Sequence, residues 1–149
     1  MCVIVDANVA SKVFSGAPPE EYGPLRRWLD EPEEDGCLVY GGQLSRELQR
    51  VGVAGRYVVA LLRAGRARFV PDGEVSPEAE KVAELCESND GHVIALARVS
   101  GARTLCTEDQ ALWRDFNNKA LIDNPRGKIY RQSRHSHLLK HSRSCGRLR

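Results

Sequence analysis

Four acidic residues far apart in the chain, Asp6, Glu47, Asp90 and Asp109, occupy positions from which carboxylates can be gathered for one chemical task. Asp6 directly follows the β-branched run Val3-Ile4-Val5, and Asp109 comes shortly after the apolar stretch that ends at Cys106. Asp90 opens one helical segment and Glu47 lies a turn into another. A carboxylate behind a buried strand costs free energy unless it is paired or metal-bound. Several together without basic partners repel one another and resist ionisation. A divalent cation resolves that conflict. Hard cations such as Mg2+ or Mn2+ prefer oxygen ligands and keep some waters. One or two of them can make a bound water nucleophilic and stabilise in-line displacement at a phosphodiester.

Each residue also has a plainer reading. Asp90 and Asp109 stand where aspartate caps helices, and Glu47 alone reads as a solvated helix residue. His92, the only histidine before the C-terminal segment, reads as a surface or capping group. Asp6 is the hardest to dismiss. No Ser/His/Asp or Cys/His arrangement offers a rival centre. His135, His137, His141 and Cys145 match no zinc-finger spacing. The five cysteines are odd in number, scattered and free of any CxxC pair, which argues against a disulfide framework and a zinc knuckle. Cys2, Cys37 and Cys106 are expected to be small core residues.

The elements that would position the acids alternate. Strands are expected at Val3–Val5, Cys37–Tyr40, Phe69–Val70, Arg103–Cys106 and Ile129–Tyr130. Helices are expected over Ala7–Phe14, from Pro24 to Leu29, after Gly41-Gly42, over Gly55–Arg66, from Ser76-Pro77 to about Cys86, from Asp90 to Gly101, and over Asp109–Phe116. This order predicts a three-layer α/β/α sandwich with a mostly parallel central sheet. In such folds ligands bind beyond the carboxyl ends of the strands, where Asp6 and Asp109 would stand.

The 149 residues suit one domain. Residues 1–131 are expected to form the body and 132–149 a basic, flexible tail. Every Asp and Glu lies at or before Asp123, and residues 126–149 hold eight Lys or Arg. That leaves the first 123 residues with 14 basic against 20 acidic side chains, a net −6. An acidic body with a basic tail suits a polyanionic partner reached through cations, with Arg131, Arg134, Lys140 and Arg143 as phosphate contacts. No apolar run approaches the roughly 20 residues that span a bilayer. The N-terminus lacks a basic stretch before its apolar residues, so no secretory signal is expected and the expected compartment is the cytoplasm.

Taken in order, Val3-Ile-Val-Asp6-Ala-Asn8, the isolated Glu47, Asn89-Asp90-Gly-His-Val-Ile-Ala-Leu-Ala97 and the strand leading to Thr107-Glu-Asp109 resemble the PIN domains over roughly residues 1–130. The resemblance implies a Mg2+/Mn2+-dependent ribonuclease fold, with metal ligands at Asp6, Glu47, Asp90 and Asp109 and support from Asn8 and Thr107. It also implies homodimers and, for many members, a toxin role checked by an antitoxin or other inhibitory protein. The chain departs from the commonest toxin pattern at Asp115-Phe116, which follows Asp109 by six residues instead of about three. Asp115 is thus a secondary candidate. Two rival readings are a catalytically silent PIN-like module binding RNA or protein, and a phosphotransfer receiver domain. The receiver would want an acidic pair at the first strand and a late lysine, and neither is evident.

Overall fold

The computed structural model describes residues 2–140, apart from the side chain of Lys140. Arg143, named above as a phosphate contact, lies outside the described residues, as do His141, Cys145 and the Lys140 side chain. Among the described residues the architecture is layered α/β with parallel strands. Strands β1 (Ile4–Val5), β2 (Leu38–Gly41), β3 (Ala67–Val70), β4 (Thr104–Cys106) and β5 (Lys128–Tyr130) fall where the apolar runs predicted them.

β4 lies between β1 and β5, pairing Val5 with Cys106 and Cys106 with Tyr130. β2 pairs with β3. A bridge between Val3 and Leu38 joins the two groups, with Val3 N donating to Cys37 O at 2.9 Å and Val39 N to Val3 O at 2.8 Å. The resulting order is β3-β2-β1-β4-β5. From β1 the chain moves outward on one side through β2 and β3, then crosses to β4 and β5 on the other. The switch point, where ligands bind in open parallel sheets, is therefore between β1 and β4. Successive residues of β1, β2 and β4 are all buried, so both faces of these strands are covered.

The covering helices are α1 (Ala7–Val13), α2 (Gly23–Asp30), α3 (Gly42–Arg50), α4 (Gly52–Arg63), α5 (Asp72–Val82), α6 (Gly91–Ser100), α7 (Gln110–Asn117) and a short α8 (His137–Lys140). α6 is buried nearly all round, from His92 to Ala97, and packs on α3 and α5. Gly101, at φ 84°, closes it in the left-handed conformation that favours glycine. α5 departs from expectation, because it starts at Asp72 and carries Pro77 inside it. Glu74 N and Val75 N donate to Pro71 O, and the extra turn buries Val75 at 2% exposure. Burial of that valine outweighs the capping signal of Ser76-Pro77.

Two further observations adjust the sequence reading. Cys2 is buried as expected but disulfide-bonded, whereas Cys37, Cys86 and Cys106 are free. Residues after Arg131 form a 3-10 turn, Ser133–Ser136, and then α8. Leu139 packs into the core at 3% exposure, and the 3-10 turn contacts α2. No helix among the described residues is long and apolar enough to cross a membrane.

Gly41 sits where β2 hands over to α3. A Cβ there would lie 2.2 Å from the backbone oxygen of Val70 on the paired strand. Gly41→Ala is expected to cost about 3 kcal/mol through overpacking against immovable backbone, read as a lowered denaturation midpoint. An unchanged midpoint would show that β3 can yield there.

Candidate metal centre

The switch point is closed by hydrogen bonds between the ends of β1 and β4. Asp6 N donates to Cys106 O at 2.9 Å. Thr107 Oγ1 donates to Asp6 Oδ2 at 2.8 Å and accepts from Asp109 N at 3.1 Å. Asp6 Oδ1 accepts from Ala7 N at 2.8 Å, capping α1. Asn8 Oδ1 accepts from Glu108 N at 3.4 Å, fastening the same two segments. Thr107 and Asn8 therefore hold the Asp6 and Asp109 segments together.

Three other side chains meet beside them. Glu47, Asp90 and His92 each offer a ligand atom within 4.8 Å of the others, a group that could hold a metal ion. His92 Nε2 is 3.3 Å from Glu47 Oε1, and His92 Nδ1 is 4.0 Å from Asp90 Oδ1. Glu47 is placed by α3, whose Leu44 and Leu48 are buried, and its Oε2 accepts from Gln43 Nε2 at 3.2 Å. Asp90 begins α6 without any side-chain capping bond, so its carboxylate is left for other work. Asp109 does cap, its Oδ1 accepting from Ala111 N at 3.0 Å and Leu112 N at 3.4 Å. The plainer reading of Asp109 is thus realised at one of its oxygens, while that of Asp90 is not.

Asp6 and Asp109 stand outside the tightest group but within electrostatic reach of it. Burial pushes the Asp90 carboxyl up to about 6, and the charges of Asp6, Glu47 and Asp109 push the same way, opposed by His92. Asp6, only 4% exposed, is raised by burial and by Glu47 against the lowering effect of its bonds to Thr107 and Ala7 and the charge of His92. Among the described residues, the main charges acting on these two are acids and His92. The site concentrates negative charge that only a proton, His92 or a bound cation can offset.

His92 corrects the sequence reading. It is 8% exposed rather than a surface group, and it joins Glu47 and Asp90 in the group that could hold an ion. The signal was in Val93-Ile94-Ala95-Leu96-Ala97, a run with no polar face. Such a helix is buried all round, so a polar residue in its first turn lies inside.

Asp115 lies away from the group and acts on its scaffold. Buried at 1% exposure, it accepts from Glu87 N at 2.8 Å, Ser88 N at 3.0 Å and Ser88 Oγ at 2.7 Å. Ser88 Oγ in turn accepts from Asp90 N at 3.2 Å. Six residues beyond Asp109 turn its side chain ~240° around the helix axis, towards the loop that presents Asp90.

No model of a known protein family matches the chain, and no curated protein matches it.

Two outcomes are expected. Asp115→Ala should lower stability by about 3 kcal/mol, since it strands buried donors that now bond a charged acceptor; an unchanged thermal midpoint would deny the clasp. The raised Asp90 carboxyl means that the metal-free fold binds more protons than the unfolded chain between 3.8 and about 6. Its stability therefore falls as pH rises through that window, and a cation replaces the proton above it. Mn2+ should raise the melting temperature clearly at about pH 7.5 and by less than half as much at about pH 5. A rise equal at both pH values would count against these ligands.

Proposed function

We propose that the chain is a Mg2+- or Mn2+-dependent endoribonuclease that hydrolyses RNA phosphodiester bonds. The observation that carries this reading is the gathering of Glu47, Asp90 and His92, with Asp6 and Asp109 alongside, at the switch point of a parallel sheet. The choice of RNA is supported by the order of motifs that resembles the PIN domains and by the basic C-terminal segment. A toxin role under an inhibitory protein, and a homodimer, extend the proposal on the same resemblance.

Glu47, Asp90 and His92 would hold the ion. When bound, it supplies a water of lowered pKa and positive charge to offset the phosphoryl oxygens. The chain's own groups prepare that event. Asp6 is oriented by Thr107 and Ala7, and Asp109 keeps one oxygen free of its capping bonds. Asp90 is set by the Ser88–Asp115 clasp. The imidazole of His92 weights an otherwise all-oxygen set towards Mn2+ over Mg2+.

Labelled single-stranded RNA should be cut in Mn2+, at lower concentrations than in Mg2+, and left intact in EDTA. Asp6→Asn and Asp90→Asn should each reduce cleavage by about 100-fold or more. Cleavage that survives the chelator or either substitution would sink the assignment. RNA bound but never cut, with any divalent ion, would make the chain a silent binding module instead.

A further inference from the structure

A cleft of about 710 Å³ lies between α7, β5 and the turn that follows it, lined among others by Trp113, Arg126, Lys128, Arg131, His135 and His137. No Asp or Glu lines it. Lys12, Arg46 and Arg114 each pair with an acid, Glu108, Asp72 and Glu87 respectively. Arg126, Lys128 and Arg131 have no such partner among the described residues. Two of them are nevertheless held in place by neutral groups. Arg126 Nη2 donates to Asn117 O, and the Arg131 guanidinium lies 4.5 Å from the centre of the Trp113 ring. Arg131 N donates to His135 Nδ1 at 3.0 Å, which fixes the turn. Fixed like charges around a hollow repel one another, and an anion relieves them.

The cleft is also connected to the carboxylate group. Trp113 Nε1 donates to Thr107 O at 2.7 Å, the residue whose hydroxyl holds Asp6. A second hollow, lined by Tyr22, Thr107, Glu108, Trp113 and Arg131, shares its Trp113–Arg131 wall with the cleft. The one acid there, Glu108, is matched by Lys12 at 2.6 Å and Tyr22 Oη at 3.2 Å. A ligand with several phosphates along a flexible chain can therefore follow the wall from Thr107 to Lys128 and Arg126. Cations beside an aromatic ring are the usual means of holding a single strand.

We propose that this cleft is the subsite for the phosphodiester backbone of single-stranded RNA flanking the carboxylate group. The proposal rests on the nuclease reading for what happens to that RNA, but its test does not depend on cleavage. Binding of a fluorescein-labelled RNA of about 15 nucleotides to the full chain is followed by anisotropy in EDTA over a range of salt. Lys128→Gln/Arg131→Gln should weaken binding about 10-fold and make the salt slope shallower by about 1.4, two single-strand phosphate contacts at about 0.7 each. Arg126→Gln should act in the same direction by about half as much. An equal loss on DNA of the same sequence would support the backbone as the group held. Unchanged affinity and slope in both cleft variants, with melting temperatures preserved, would overturn the proposal. So would competition by a mononucleotide as effective as that by the RNA. Mn2+-dependent cleavage with cleft-independent binding removes the cleft alone, whereas cleft-dependent binding without cleavage removes the nuclease reading alone.

Discussion

The hydroxyl of Thr107 donates to Asp6 and accepts from the amide of Asp109, and through it the ends of two neighbouring parallel strands become one rigid edge. That edge is where helices α1 and α7 begin, each capped by the aspartate concerned. Caps and strand ends are thus satisfied by the same carboxylates that face the site. Each carboxylate spends one oxygen on the backbone, a demand that limits where it can point. Side chains held by packing and backbone bonds in this way are preorganised, which is what a metal or transition state requires of its ligands.

Against that order stands a strong electrostatic conflict. Asp90 is pushed up to about 6 by burial and by three neighbouring acids, with His92 as the main opposing charge. A fold selected for stability alone would place a cation there or remove the charge. Here the opposing group is His92, which bridges towards Glu47 and Asp90, while a loop clasp in which Asp115 accepts three hydrogen bonds fixes the segment before Asp90. The clasp turns a buried aspartate into the support of another one.

The formal net charge of +2 conceals a separation that is spatial as well as sequential. Carboxylates collect at the β1–β4 edge, and the cations Arg126, Lys128 and Arg131 line a cleft beside β5. Trp113 joins the two zones, its indole bonded to Thr107 O and its ring under Arg131. Opposite charges kept apart by a packed aromatic cannot neutralise each other and remain available to a ligand that presents phosphates to one zone and a metal to the other.

Much of this was legible in the residues themselves. β1, β2 and β4 follow from short apolar runs, because a strand buried on both faces leaves such a run whatever surrounds it. Asp6 stood out because a carboxylate after a buried strand needs a reason, and α6 was marked at both ends by Asp90 and Gly101. Other features were settled only by packing. The start of α5 depends on where Val75 is buried, and the place of His92 depends on α6 being enclosed on every side. Asp115 looked like a displaced ligand because helical spacing gives its angle but not the loop that waits there. Local pattern determines which segments become strands and helices, since it acts through backbone preference and burial period. Which polar groups then meet is decided by the tertiary structure, since it depends on contacts between segments that spacing along the chain does not encode.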